Sequence, residues 1–100
     1  MKTIFVYGTL QKGFSNYDSF NLEGNFLAKA TLYGWSRDNL IQIHKVKKEE
    51  SYVVGEIYQV NDEIEDNIYY FEKQFGYHRE IVHPQRIDNG EKIESIAYII

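Results

Sequence analysis

The hydrophobic period of this chain changes twice, and that change constrains the fold more than any other feature. Up to Val60 the apolar residues fall in short β-branched and aromatic runs or alternate with polar ones. Ile64, Ile68, Phe71 and Phe75 then lie at i, i+4, i+7 and i+11, the stripe of an amphipathic helix. From Tyr77 the chain is strand-like again. Asp62 followed by Glu65 reads as a capping box, and acidic residues crowd the first turn as the helix dipole prefers. Gly76 is placed to end the helix. One substantial helix set between groups of strands is the pattern of an α+β fold.

The strands can be placed coarsely. Ile4 to Tyr7 reads as a buried strand that stops at Gly8. Gln11 to Leu22 reads as loop with one helical turn from Ser15, and Gly24-Asn25 as a turn. Phe26 to Trp35 alternates as a strand, with a bulge or tight bend at Gly34. Ser36 to Asn39 is expected to turn and Leu40 to Val46 to form a strand. Lys47 to Glu50 is a solvated hairpin tip, and Tyr52 to Val60 a strand carrying Gly55. Pro84 confines the Tyr77 to Ile87 segment to an edge or bulge. Asp88-Asn89-Gly90 is a strong turn signal, and Lys92 to Ile100 should close a hairpin behind it. About six strands and one main helix follow, in one domain over residues 1–100. The glycines at 8, 34 and 55 point to a strongly curved, mixed six-stranded sheet closing towards a small β-barrel around a cavity.

Composition removes several function classes. A formal net charge of -4 argues against a protein that tracks nucleic-acid phosphates. The absence of Cys excludes disulfides, thiolate catalysis and Cys-based zinc sites, and fits a reducing compartment. His44, His78 and His83 show no ligand spacing, so no metal site is expected. Gly8 and Gly13 fit neither dinucleotide nor Walker spacing, and no serine sits in a nucleophile elbow. No run has the apolar length of a membrane span, and residues 1–15 lack a secretory pattern. The expectation is a cytoplasmic protein without membrane or nucleic-acid partners; the oligomeric state is left open.

Two places can carry chemistry. A strand that stops at Gly8-Thr9 presents backbone N–H groups that no sheet partner need satisfy, and such groups can hold an anion or a carbonyl oxygen. An ordinary strand-to-loop turn is the plainer reading of the same residues. The second place is Glu72, about 40° around the helix from Ile68, on the margin of the buried stripe. Desolvation there raises a carboxyl pKa towards values suited to proton transfer. The competing reading is a rim ion pair with Arg79 or Lys73.

Val6-Tyr7-Gly8-Thr9-Leu10, then Gly13 and Asn16, resemble the N-terminal signature of the γ-glutamylcyclotransferase-like (AIG2-like) family. The likeness continues through Ala30 to Gly34, Val54 to Val60, Glu72, Tyr77-His78-Arg79 and Ala97-Tyr98-Ile99. The resemblance implies a barrel-like α+β fold around a polar-ended cavity, with Tyr7, Gly8, Thr9 and Leu10 binding a γ-glutamyl group and Glu72 as the catalytic acid/base. It implies cyclisation of a small γ-glutamyl amine or amino acid to 5-oxoproline, with no cofactor. Arg79 and Tyr98 are expected near the cavity rim. Departures from the family pattern fall at Ile68-Tyr69, Lys73 and Trp35 to Asp38, and bear on the substrate more than on the catalytic position. A small-ligand binder that retains the cavity without catalysis is the alternative, and an interaction domain with Glu72 in a surface ion pair is a third reading.

Overall fold

The computed structural model describes residues 1–100. Strand β1 (Lys2–Val6) runs through the middle of the main sheet because its side chains are apolar on both faces. Ile4 and Val6 pack into one core cluster and Phe5 with Tyr7 into the other. A short 3₁₀ turn (Asp18–Phe20) precedes β2 (Phe26–Tyr33). Then come β3 (Trp35–Asn39), β4 (Gln42–Lys45), β5 (Tyr52–Val60), helix α1 (Asp62–Lys73), β6 (His78–Val82), β7 (Gln85–Arg86) and β8 (Ser95–Ile99). The six-stranded sheet has the order β6-β8-β1-β5-β2-β7; β1 and β8 pair parallel and every other neighbour pair is antiparallel. Strands β3 and β4 form a separate hairpin.

The two layers differ on the two faces. Helix α1 covers one face through Ile68, against Ile4, Val6, Tyr58 and Tyr98. The β3–β4 hairpin covers the other through Trp35 and Ile43, against Phe5, Leu32, Val53 and Ile57. No helix is long and apolar enough to cross a membrane.

The α+β class and the curved six-stranded sheet stand, but the sheet does not close into a barrel. Only His83 and Pro84 separate the two edge strands β6 and β7, so the sheet must curl to bring its edges together. Pro84 sits at the seam and has no N–H to donate, and no ladder bridges the gap.

Three local expectations are corrected and a fourth is narrowed. Ser36 to Asn39 is strand β3 rather than a turn: Gly34, at φ 82, turns the chain out of the main sheet and β3 starts at once. Gly34 is the tight bend of the two readings offered for it, and the bulge of β2 lies between Phe26 and Ala28. The segment after Gly90 forms a single bridge to β7, Gln85–Lys92, with the Arg86 amide donating to the Glu91 carbonyl and the Ile93 amide to that of Pro84, and β8 instead inserts between β6 and β1. The cap of α1 is Asn61, whose Oδ1 accepts from the Ile64 amide at 2.8 Å. An Asn one residue earlier serves the same orphan amides, which frees Glu65 to turn inward.

Candidate active site

Past Val6 the chain leaves the sheet, and residues 7–10 line a cavity of about 320 Å³. Its other walls come from the end of α1 (Phe71, Glu72, Phe75), the β3–β4 turn (Ile41, Gln42), Tyr77 and Tyr98. Of the residues singled out in the sequence, the fold brings Tyr7, Gly8, Thr9, Leu10, Glu72 and Tyr98 to this one cavity. Arg79 is not among the lining residues.

The loop is held by its carbonyls. Arg37 Nη2 donates to the Tyr7 carbonyl at 2.8 Å, and the Gln11 amide donates to that of Gly8 at 3.0 Å. The Asn16 amide donates to that of Thr9 at 3.0 Å, while Asn16 Nδ2 donates to Thr9 Oγ1 at 2.8 Å. Further on, the Lys12 amide donates to the buried Glu56 carboxylate at 2.9 Å. The amides of Gly8, Thr9 and Leu10 donate to no group of the protein. Unused backbone donors at a cavity wall can receive an anion or a polarised carbonyl oxygen.

Gly8 is required by close approach. A Cβ there would stand 2.8 Å from the Leu40 carbonyl oxygen, so the hairpin turn packs directly on its backbone. Arg37 Nη1 donates to that same carbonyl at 3.0 Å and locks the turn over the loop. The Tyr77 hydroxyl donates to the Ile41 carbonyl at 2.7 Å, joining the turn to the end of the helix. The Tyr7 hydroxyl donates to the Tyr98 carbonyl, which fixes the Tyr7 ring as a wall.

Glu72 is positioned by the way α1 ends. Gly76, at φ 89, lets the chain reverse. The Gly76 amide then donates to the Lys73 carbonyl, and the Tyr77 amide to that of Glu72, the paired bonds of a Schellman motif. The Glu72 side chain is half-buried and makes neither an ion pair nor a hydrogen bond. Burial pushes its carboxyl above the ordinary range, with no cation to pull it back. Burial likewise raises the Tyr77 hydroxyl, and the Glu72 charge adds to that rise.

The ion-pair reading of Glu72 is not realised. Arg79 donates to Glu65 through Nε at 2.9 Å and Nη2 at 2.7 Å, and reaches Asp66 at 2.9 Å. The Lys73 ammonium lies 5.8 Å from the centre of the Tyr69 ring. Sequence reasoning assigned no site role to Arg37 or Tyr77, and quoted Asn16 only as part of a signature. Arg37 had no available signal, because its partners are carbonyls brought together only by the folded hairpin.

The chain matches the family described as "Gamma-glutamyl cyclotransferase, AIG2-like" over residues 4–100. It is 29% identical over 104 residues to the Methanocaldococcus jannaschii protein named "Putative gamma-glutamylcyclotransferase MJ1514", covering 98% of this chain and 83% of that protein. Among solved structures, an AIG2-like protein of Mus musculus superposes with a TM-score of 0.75 at 22% identity, over 100% of this chain and 77% of that one. An uncharacterized protein of Pyrococcus horikoshii superposes with a TM-score of 0.72 at 24% identity, over 99% and 77%. The structural likenesses establish the fold.

Proposed function

Since the chain belongs to the gamma-glutamyl cyclotransferase, AIG2-like family, we propose that it cyclises the γ-glutamyl group of a small γ-glutamyl amine or amino acid to 5-oxoproline. The observation that carries this reading is one cavity holding an unpaired, half-buried Glu72 and the unused amides of Gly8 to Leu10.

The γ-glutamyl head lies along the loop with its γ-carbonyl oxygen towards these amides. The substrate's α-amine nitrogen attacks its own γ-carbonyl carbon and closes the five-membered ring. The carbonyl oxygen takes up negative charge, and each well-aimed amide stabilises that charge by about 3 kcal/mol. Glu72 accepts the proton that the attacking nitrogen loses and delivers it to the leaving nitrogen. The former amide C–N bond then breaks, and the amine departs. A carboxyl pKa raised by burial is suited to both halves of this transfer. The attack is intramolecular, so holding the chain in its folded conformation can supply about 7–11 kcal/mol of the barrier reduction.

The test is release of 5-oxoproline from a panel of γ-glutamyl conjugates. Turnover is expected for at least one, and none when the substrate's α-amine is removed, because that amine is the nucleophile. Binding of the conjugates without release would favour the ligand-binding alternative.

A further inference from the structure

Arg37 stands outside the cavity, yet it holds the peptide group that begins the cavity loop. Its guanidinium makes four hydrogen bonds, all to main-chain carbonyls: Tyr7 at 2.8 Å, Leu40 at 3.0 Å, and Asn39 and Val54 at 3.4 Å each. No carboxylate pairs with it; the neighbouring Asp38 meets His44 instead, 2.8 Å from Oδ1 to Nδ1. A guanidinium whose donors all go to carbonyls fixes backbone rather than balances charge. Arg37 also lies within Trp35 to Asp38, where this chain departs from the family pattern.

Fixing the Tyr7 carbonyl fixes more than one oxygen. The same planar peptide group carries the Gly8 N–H, which points the opposite way across a trans bond. The guanidinium therefore sets the direction of the Gly8 N–H, one of the unused amides at the cavity. It also draws electron density towards the carbonyl oxygen, which makes the N–H of the same group a stronger donor. The next two amides are backed in the same way. The Thr9 N–H shares a peptide group with the Gly8 carbonyl, held by the Gln11 amide at 3.0 Å, and the Leu10 N–H with the Thr9 carbonyl, held by the Asn16 amide at 3.0 Å. Only the Gly8 N–H is backed by a charged donor, and charge-assisted hydrogen bonds are the stronger kind. We propose, resting on the cyclotransferase reading above, that Arg37 is a positioning residue for the reaction: by holding the Tyr7 carbonyl it aims and strengthens the Gly8 N–H that receives the developing oxyanion. It touches no substrate and acts through the peptide group alone.

The split between kcat and KM tests this, with γ-glutamyl-alanine and γ-glutamyl-ethylamide as substrates and each protein assayed below its melting temperature. Arg37→Ala removes the brace. Arg37→Lys keeps the stem and the charge but cannot span the Tyr7 and Leu40 carbonyls as the planar fork does, so the question stays open to measurement even where Arg37→Ala does not fold. In both variants kcat should fall at least about tenfold while KM changes by less than about twofold, because the charge on the carbonyl oxygen develops only in the transition state. Asn39→Ala is the control for the turn: it removes the side-chain bonds to the Ile41 amide and to Gln42, 3.0 Å each, and leaves the Arg37 bond to Tyr7 in place. Its kcat should stay close to that of wild type. A raised KM with unchanged kcat in the Arg37 variants would mean that Arg37 only shapes the wall made by Ile41 and Gln42. An equal loss of kcat in Asn39→Ala would mean that a loosened turn is enough. Either result, or unchanged kinetics in both Arg37 variants, would overturn the proposal while leaving the cyclotransferase reading intact. No 5-oxoproline from wild type with either conjugate, or with any other γ-glutamyl compound, would remove both readings together.

Discussion

Glu65 and Glu72 are two acids on one face of α1, seven residues and about two turns apart. Glu65 is completely buried and fully partnered: Arg79 holds both its oxygens, the Tyr98 hydroxyl donates at 2.7 Å, and Lys2 stands 3.5 Å away. Burial pushes its carboxyl up, but the Arg79 and Tyr98 hydrogen bonds and the Arg79 and Lys2 charges outweigh this, and it settles below the ordinary range. Glu72 is less buried, has no partner, and is pushed up. The same residue type on the same helix face is thus a fully partnered structural anion at one end and an unpartnered, half-buried carboxyl at the other. What separates them is whether the neighbours supply donors, not how deep they lie. Tyr98 joins the two regions: its hydroxyl donates to Glu65 and its carbonyl accepts from Tyr7 at the cavity.

The largest expected effect is on chemistry at the unpartnered end. Glu72→Gln keeps the size and the helix propensity of the side chain but can neither accept nor return a proton. Release of 5-oxoproline should fall by at least about 10²–10⁴-fold, in kcat more than in KM. Stability should not fall. A folded-state pKa above the unfolded value means that the native protein holds its proton longer than the unfolded chain does. That carboxyl therefore costs stability as pH rises from about 4.5 through its folded pKa, and removing it flattens that decline. Full activity in Glu72→Gln, alongside a lowered melting temperature, would reverse the roles assigned to the two acids.

Next in size is the stability loss from Glu65→Gln. Breaking a buried ion pair costs about 3–5 kcal/mol, but Arg79 is 35% exposed and water recovers part of that, so about 2–3 kcal/mol is expected. The pH dependence has the opposite sign to that of Glu72. With the folded pKa below the unfolded value, the stabilisation is complete above about 4.5 and is lost as pH falls through the folded pKa. Urea midpoints measured from acid to neutral pH should show wild type losing stability on that acid side and the variant losing less.

Much of this contrast was hidden in the sequence, for physical reasons. The helix, the Tyr52–Val60 strand and the Gly76 stop rest on local periodicity and local backbone chemistry, and were legible. From the residues alone Glu72 and the Tyr7–Leu10 loop were legible as separate candidates; the family resemblance put them at one cavity, because their meeting depends on tertiary packing. Glu65 was misread as part of a cap, because a capping residue and an inward acid look alike three positions from an Asp. Arg79 was equally placed in sequence to reach either acid. Only the register of β6 against β8, Arg79 opposite Tyr98, puts it on Glu65. The barrel expectation failed at Pro84, where local chemistry was legible but its consequence for sheet closure was not.

Gly8→Ala tests whether the cavity end depends on close backbone packing rather than on polar networks. The added Cβ would meet a backbone oxygen, which cannot rotate away as a side chain can. The hairpin turn must shift, at an expected cost of about 1–3 kcal/mol. Because Ile41 and Gln42 belong to that turn and line the cavity, kcat/KM should fall as well. Steady-state kinetics below the melting temperature separate the two effects; loss of stability with unchanged kinetics would detach the hairpin turn from the site.

The smallest effect expected is for Lys2→Ala, and it sharpens what makes Glu65 structural. The Lys2 ammonium stands 3.5 Å from Glu65 Oε1, but its side chain is 40% exposed, so water screens the pair. The same oxygen already accepts from Arg79 Nη2 at 2.7 Å, and the other is held by Arg79 Nε and the Tyr98 hydroxyl. Removing Lys2 leaves the carboxylate with hydrogen bonds on both oxygens, and less than about 1 kcal/mol should be lost. Activity should not change, since neither Lys2 nor Glu65 lines the cavity. A double-mutant cycle of Lys2→Ala with Glu65→Gln measures the coupling directly and should give a small value. A coupling as large as the loss in Glu65→Gln would mean that summed positive charge, rather than directed donors, holds this acid ionised. Glu72 would then differ from Glu65 in the field around it and not in its hydrogen bonds.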